Sequence, residues 1–220
     1  MTTRTRFRKA PAGASATTPD AILDAAERLF AAEGFERTTA QAIGRSVSAS
    51  PGLIYYYFGS KAGLYRAVLE RIFGGLTQRG LVEVSAESDP ADAVRALVRV
   101  QAEALIARPH LGRLIARELV DHQARHAAPL IRDVLATLFA RLTAVIRAGQ
   151  AGGRFRADVD PRFAAISTVA QVAWLVTASP AIGLLLGHGP SGPPAEVRDA
   201  FARHAAAFAV SALEAERSAP

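Results

Sequence analysis

Apolar side chains recur every three or four positions along most of the chain, a spacing that predicts amphipathic helices. The first run is bounded by Pro19, which suits a first helical turn, and by Gly34, which suits the position after a last one. We therefore expect a first helix between about residues 18 and 34. Its apolar face comprises Ile22, Leu23, Ala26, Leu29 and Phe30.

A second, short helix is predicted from Thr38 to about Ser46. Thr38 and Gln41 have the spacing of a capping box, in which each side chain bonds the backbone N–H of the other residue. Ile43 and Val47 fall on the face that we expect to be buried.

A third short helix and a long fourth helix follow. Ser50 before Pro51 is typical of an N-cap with proline at the first helical position, so we expect the third helix over residues 51–57. Ser60 can cap a fourth helix over residues 61–85. Two short helices joined by a tight turn are a candidate helix-turn-helix, in which the second helix enters the major groove of DNA.

The remainder of the chain also predicts helix, without a hairpin signal. The expected fold class is all-α, with an N-terminal three-helix helix-turn-helix module and a larger helical domain. We expect a disordered basic tail over residues 1–17, the first domain over 18–65 and the second over 66–220. The helices predicted in the second domain, after the fourth, span 91–107, 111–124, 129–148, 161 to a kink at Pro180, and 194–216.

Composition and charge narrow the classes of function. The chain has no cysteine, which excludes disulfides and thiolate metal sites. Residues 1–70 hold 9 Lys and Arg against 6 Asp and Glu, so half of the net charge of +6 lies in the first third of the chain. The basic tail either lies along DNA phosphates or is a disordered solubilising segment. Its charged residues are Arg4, Arg6, Arg8 and Lys9.

Residues 163–195 contain no Asp, Glu, Lys or Arg, a length that can span a bilayer. The segment is nevertheless rich in small and hydroxyl residues and contains Pro180, which favours a buried helix over a membrane span. We expect helices 161–179 and 194–216 to pair with their symmetry mates as a four-helix bundle in a homodimer. A fully internal helix in a monomer is the alternative. Because Met1 is followed by Thr and Arg residues, we expect no secretory signal and a cytoplasmic protein.

Two histidines, His122 and His126, have the i, i+4 spacing that can share a metal ion. No H-E-x-x-H pattern or adjacent pair of carboxylates completes such a site, so the sequence favours solvated histidines at a helix end. We expect no metal and no cofactor. Nucleophile-elbow, P-loop and dinucleotide motifs do not occur in the sequence, so we expect no catalytic residues and no enzyme activity.

A run of three tyrosines and a phenylalanine ends the third predicted helix, and Lys61 follows after a short spacer. Together with the residues around it, this run resembles the DNA-binding module of the TetR family of transcriptional regulators. The matching residues are Gly34-Phe35, Thr38-Thr39, Ile43, Ser50, Gly52, Ile54-Tyr55-Tyr56-Tyr57-Phe58 and Ser60-Lys61, with Ile22 to Ala26 and Leu29-Phe30 in the first helix.

The resemblance implies roles for these residues. Contacts with bases are implied for Pro51, Leu53, Tyr55 and Tyr56. Contacts with phosphates are implied for Thr39, Tyr57 and Lys61, with Gln41 as a further candidate. A small core is implied for Phe30, Ile43, Ile54 and Phe58. Ser48 departs from the family pattern, which usually has glycine in the turn. A tyrosine cluster that packs the third helix onto the fourth, and a solvated Lys61, are the alternatives.

The resemblance also implies a ligand-responsive repressor, a homodimer that binds a palindromic operator and that a small, largely apolar effector releases. An activator of the same fold is one alternative, and a small helical carrier or enzyme is another. We expect an apolar effector pocket in the second domain, although Trp174 alternatively belongs to the core and Glu118 to a buried structural pair. The walls of that pocket are Leu105, Leu114, Leu138 and Trp174, and its polar anchors are Arg117, Glu118 and His122.

Overall fold

A computed structural model describes residues 18–86 and 89–215. Over these residues the chain is helical, and the β-structure is limited to an isolated bridge between Phe155 and Glu214, which confirms the all-α class. The predicted tail over residues 1–17 lies outside the described residues. The helices are α1 (Pro19–Glu33), α2 (Ala40–Ser46), α3 (Pro51–Phe58), α4 (Lys61–Ala86), α5 (Pro90–Ile106), α6 (His110–Val120), α7 (Ala128–Leu130), α8 (Ala136–Ala151), α9 (Pro161–Thr177), α10 (Ser179–Leu185) and α11 (Ala195–Leu213).

The described chain forms two compact units. Unit 1 contains the residues up to Ile72 together with Arg113–Ala128. Unit 2 contains Phe73–Gly112 and the residues from Pro129 onward. The boundaries between the units fall within α4, within α6 and within α7. The division between two domains after residue 65 stays a prediction.

The core of unit 1 is built by α1 to α4. Thr18 caps α1 by accepting a hydrogen bond from the backbone N–H of Ala21, and Gly34 ends the helix with a φ of 84°. The ring of Phe30 meets that of Tyr65 edge-on, with centroids 4.9 Å apart. Phe58, which we expected in this core, is only partly buried. The fully buried apolar residues include Ile22, Phe30, Ile43, Ile54, Leu64 and Tyr65.

The core of unit 2 lies between long helices: α5 packs against α9 and α11, and α8 packs against α9. Local capping explains where these helices start. The carboxylate of Asp89 accepts hydrogen bonds from two N–H groups of α5, and that of Asp160 accepts one from α9. The core residues include Val94, Leu97, Leu142, Ile146, Phe155, Ala165, Val210 and Leu213.

Two helices differ from the prediction. α6 ends at Val120 instead of continuing to residue 124, because the chain turns back with Gln123 and Ala124 in the left-handed region, at φ 49° and 57°. The predicted helix 129–148 is interrupted by a π-helical turn at Ile131–Leu135 and then continues as α8. Neither feature has a glycine or an internal proline to signal it.

The uncharged segment forms α9 and α10, which meet at an angle of 81°. The break lies just before Pro180, as predicted, because proline does not fit the interior of a helix. Among the described residues, no single helix has the length and apolar composition needed to cross a membrane, although this bent pair passes the same criteria when its two helices are taken together.

Candidate nucleic-acid interface

The first helix of the helix-turn-helix is capped one residue later than predicted. The hydroxyl of Thr39 accepts a hydrogen bond from the N–H of Ala42 at 3.1 Å, so Thr39 is the N-cap of α2. The buried Thr38 instead donates its hydroxyl to the carbonyl of Gly34 at 2.8 Å, which ties α2 to the end of α1. The predicted capping box is therefore wrong, and the side chain of Gln41 is exposed.

The turn between α2 and α3 brings two backbone segments close together. Ser48 adopts a φ of 55°, so the turn uses the left-handed conformation without glycine. The N–H of Ala49 donates to the carbonyl of Gly44 at 2.9 Å. A Cβ atom at Gly44 would lie 2.3 Å from the carbonyl oxygen of Ala49, so position 44 has no room for a side chain.

Gly44→Ala is expected to lower the free energy of unfolding by about 2–3 kcal/mol, since the added methyl group forces the turn apart. Gly52→Ala is the matched control in the same module, because the nearest atom to its added Cβ is 3.8 Å away. We expect the control to be neutral or more stable by up to about 1 kcal/mol. Urea unfolding followed by circular dichroism measures both. Equal stability of the two variants would contradict the close approach at Gly44.

The three tyrosines of α3, the second helix of the helix-turn-helix, differ in their exposure to solvent. Ser50 caps it by accepting a hydrogen bond from the N–H of Leu53 at 3.1 Å. Tyr55 is the most exposed of the three tyrosines, at 47%. The rings of Tyr56 and Tyr57 are partly buried and stand edge to face, with centroids 5.5 Å apart. This face combines flat apolar rings with hydroxyl groups, which suits contact with thymine methyls and phosphate oxygens.

The base contact predicted for Leu53 needs correction. Its side chain is only 9% exposed, and the neighbouring Ile54 is fully buried, so the two residues together form the inner face of α3. Pro51, at the first position of the helix, is partly exposed. The accessible residues of α3 nearest the turn are therefore Pro51 and Gly52, and Leu53 contributes packing.

Lys61, a predicted phosphate contact, has partners within the chain. Its ammonium group donates to the carbonyls of Phe35 and Glu36 at 3.0 and 3.2 Å. It also lies 4.5 Å from the centre of the Phe35 ring. These contacts explain a cation at the start of α4, where the helix dipole disfavours it. The phosphate role of Lys61 stays a prediction.

Glu118, a predicted polar anchor of the effector pocket, is a buried hub of unit 1 with 1% exposure. One carboxylate oxygen accepts from the N–H groups of His126 and Ala127 at 2.8 and 2.9 Å. The other accepts from the hydroxyl of Tyr65 at 3.1 Å and lies 3.1 Å from Nδ1 of His126. Burial, and secondarily the charge of Glu118, raise the pKa of Tyr65, so this phenol stays a hydrogen-bond donor.

The residues predicted to line one effector pocket are divided between the two units. Leu105, Leu138 and Trp174 belong to unit 2, whereas Leu114 and the polar anchors Arg117, Glu118 and His122 belong to unit 1. Trp174 is 63% exposed and is therefore neither a core residue nor an enclosed pocket wall within the chain. The two histidines, predicted to be solvated at a helix end, are only partly exposed, because both rings pack against Phe35 and Tyr65.

A groove of about 780 Å³ lies between α5 and α11 in unit 2. None of the predicted pocket residues lines it. Its lining combines small apolar side chains with charges of both signs, and the effector pocket predicted from other residues therefore stays a prediction. These charged residues are Asp92, Arg95, Arg99, Glu103, Asp199 and Arg203.

Comparison with known proteins assigns both halves of the chain. Residues 22–68 match the family model for bacterial regulatory proteins of the tetR family. Residues 90–206 match the model for the tetracyclin repressor-like C-terminal domain. The HTH-type transcriptional repressor NicS of Pseudomonas putida is 34% identical over 144 residues, which cover 64% of this chain and 68% of NicS. BetI, an HTH-type transcriptional regulator of Rhizobium meliloti, is 35% identical over 80 residues, or 36% of this chain and 39% of BetI.

Solved structures share the fold at low sequence identity. The fatty acid degradation regulator FadR of Bacillus halodurans superposes with a TM-score of 0.71 at 19% identity, covering 90% of this chain and 100% of FadR. A tetR-family regulatory protein of Rhodococcus reaches a TM-score of 0.73 at 20% identity, over 92% of this chain and 100% of that one. The chain has a helix-turn-helix formed by α2 and α3, and two family models match its two halves. It therefore belongs to the TetR family of bacterial transcriptional regulators.

Proposed function

We propose that this regulator is a repressor that binds a palindromic operator as a homodimer in the cytoplasm, through residues 18–65. The observation that carries the proposal is the exposed polar and aromatic surface of α2 and α3. It presents Thr39 and Gln41 from one helix and Tyr55 from the other. Side chains of this kind bond phosphate oxygens and contact base edges, and a helix-turn-helix brings them to the major groove.

A homodimer places two recognition helices on one operator. They must lie about 34–36 Å apart to enter successive major grooves on one face of DNA. The proposal is supported by α9 and α11, which leave large apolar side chains exposed within the single chain. Phe163, Ile166 and Trp174 of α9 and Phe208 of α11 are 66%, 54%, 63% and 57% exposed. We propose that these helices pair with their counterparts in a second copy.

Release by a small effector is the remaining part of the proposal. An effector that favours a different separation of the recognition helices lowers operator affinity. To change the ratio of the released conformation to the DNA-binding conformation from 1:99 to 99:1, the effector must bind the released conformation more tightly by about 5.5 kcal/mol. The names of similar proteins refer to fatty acid degradation, ketosteroids and choline. Because those compounds differ in charge and size, we propose for this chain only a small effector, which we expect to be largely apolar.

The test is binding of an operator selected from random DNA by the wild-type protein. Gln41→Ala and Tyr57→Phe each remove one hydrogen-bonding group from the interface and are expected to weaken binding about 5- to 10-fold, the equivalent of ~1 kcal/mol. Gln78→Ala is the matched control, because this exposed glutamine lies on α4, outside the helix-turn-helix.

Salt dependence counts the phosphates that cationic side chains neutralise. A variant that loses a cationic phosphate contact is expected to lower the slope of log affinity against log salt by about 1, whereas the neutral changes Gln41→Ala and Tyr57→Phe are expected to weaken binding without changing that slope. Operator affinities of Gln41→Ala and Tyr57→Phe equal to that of Gln78→Ala would contradict the proposed interface.

A further inference from the structure

Three side chains with metal-binding atoms converge at the end of α6. Glu118, His122 and His126 follow one another at intervals of four residues, and one donor atom from each lies within 4.8 Å of the other two. Known zinc motifs combine a histidine pair with a carboxylate. Here Glu118 supplies that carboxylate, four positions before His122. All three residues belong to unit 1.

The backbone after α6 makes this convergence possible. Beyond Val120 the chain reverses, and the N–H of Ala124 donates to the carbonyl of Glu118 at 2.8 Å. The reversal returns His126 to Glu118, so that its N–H and its ring both meet the carboxylate. The ring centroids of His122 and His126 are 4.9 Å apart as a result.

One contact of the cluster already has a distance near that between two ligands of one ion. Nδ1 of His126 lies 3.1 Å from a carboxylate oxygen of Glu118. When Nδ1 carries a proton, it donates to this oxygen, and when it is unprotonated, its lone pair and the carboxylate can bind the same ion. Hydrogen bonds from the hydroxyl of Tyr65 and from the N–H groups of His126 and Ala127 hold the carboxylate in place.

The donor set determines the class of ion. Two imidazole nitrogens and one carboxylate oxygen suit Zn²⁺ and similar transition-metal ions, whereas Mg²⁺ and Ca²⁺ prefer oxygen ligands. Metal–ligand distances of about 2.0–2.1 Å place tetrahedral donors roughly 3.3–3.5 Å from one another. Donors that lie as far apart as 4.8 Å must therefore approach by about 1.3–1.5 Å when an ion binds.

A cavity of about 380 Å³ gives access to the cluster, since His122 is part of its wall. Asp121 lines the same cavity and adds negative charge, and solvent there can supply the fourth ligand. Arg37, Arg117 and Arg125 also line it and oppose a cation, while Glu33 and Glu36 add further negative charge. Arg117 lies 3.8 Å from the carboxylate of Asp121. The balance of charge points to a site of moderate affinity instead of a closed structural zinc site.

We propose that Glu118, His122 and His126 bind one Zn²⁺ ion, or a chemically similar divalent ion, per chain. A bound ion stabilises unit 1, because it holds in place two histidine rings that pack against Phe35, after α1, and Tyr65 of α4. Binding of an ion to the folded state alone raises stability in proportion to the logarithm of its concentration. The site does not depend on the proposed operator binding.

The experiment titrates the full chain, freed of metal by a chelator and of any histidine tag, with Co²⁺ and with Zn²⁺. Tetrahedral Co²⁺ reports its ligands by visible absorption, and we expect a band that saturates at one equivalent and disappears when Zn²⁺ displaces the Co²⁺. Calorimetry with Zn²⁺ alone is expected to give the same stoichiometry. Zn²⁺ is also expected to raise the melting temperature of the chain.

The variants His122→Gln and His126→Gln are expected to lower the affinity for Zn²⁺ by roughly 100-fold and to lose the Co²⁺ band. His188→Gln is the matched control, because it removes an exposed histidine from a distant part of the sequence. Circular dichroism verifies folding, and His122→Gln decides the outcome if His126→Gln does not fold. Absence of stoichiometric binding in the wild type, or Zn²⁺ affinity in His122→Gln equal to that of His188→Gln, overturns the proposal.

Discussion

Glu118→Ala is expected to lower the free energy of unfolding by about 3–5 kcal/mol, the largest loss of stability that we predict for a single residue. The carboxylate accepts hydrogen bonds from the hydroxyl of Tyr65 and from the N–H groups of His126 and Ala127. Removing it leaves these three donors without their partner in a region where Glu118 itself is 1% exposed. A buried donor that loses its acceptor costs far more than the hydrogen bond contributed.

Two further substitutions separate hydrogen bonding from general effects of mutation. Glu118→Gln keeps the shape and one acceptor oxygen, so we expect a smaller loss of about 1–2 kcal/mol. Glu33→Ala removes an exposed carboxylate from the last turn of α1 and is expected to change stability by less than about 0.5 kcal/mol. Urea unfolding followed by circular dichroism measures all three. A loss in Glu118→Ala no larger than that in Glu33→Ala would show that the cluster does not stabilise the fold.

Local signals were sufficient to predict most of the DNA-binding module. Thr18, Ser50 and the prolines that follow them begin α1 and α3 at the predicted residues, because capping depends on atoms only three positions apart. The same logic was wrong by one residue at α2. There Thr38 bonds the carbonyl of Gly34, a contact between two helices that competes with capping.

The prediction for Leu53 had a different weakness. A short helix with several large side chains has more than one face that can be buried, and its pattern alone does not decide which face packs inward. Burial of Leu53 beside Ile54 depends on how α3 lies within the module. This is tertiary information that eight residues of sequence do not carry.

The effector pocket and the histidine cluster required the most information beyond the sequence. The sequence gives no sign that α6 ends at Val120, so the helix was expected to continue to residue 124, with His126 just beyond its end. The reversal at Gln123 and Ala124, neither of them glycine, joins the two residues through the backbone as well as the side chains. The regular spacing of Glu118, His122 and His126 was nevertheless visible and was a usable signal for a shared site.

Phe208→Glu is expected to convert the proposed dimer to a monomer and to weaken operator binding by at least about 100-fold. Phe208 is 57% exposed on α11, so the glutamate remains in solvent in the single chain and does not disturb its core. In a twofold interface the substitution introduces two unpaired charges, each of which costs about 3–5 kcal/mol when it is buried. Ala205→Glu is unsuitable for this test, because Ala205 is fully buried within the chain itself.

Val82→Glu is the matched control for the dimer, since it places the same charge at a side chain 58% exposed on α4, outside α9 and α11. Light scattering at micromolar concentration, together with operator binding, measures the three proteins. We expect the wild type and Val82→Glu to be dimers that bind the operator, and Phe208→Glu to be a folded monomer that does not. If Phe208→Glu were still a dimer, α11 would not be part of the dimer interface. A monomeric wild type would contradict the homodimer, and with it the reading of two half-sites by paired recognition helices.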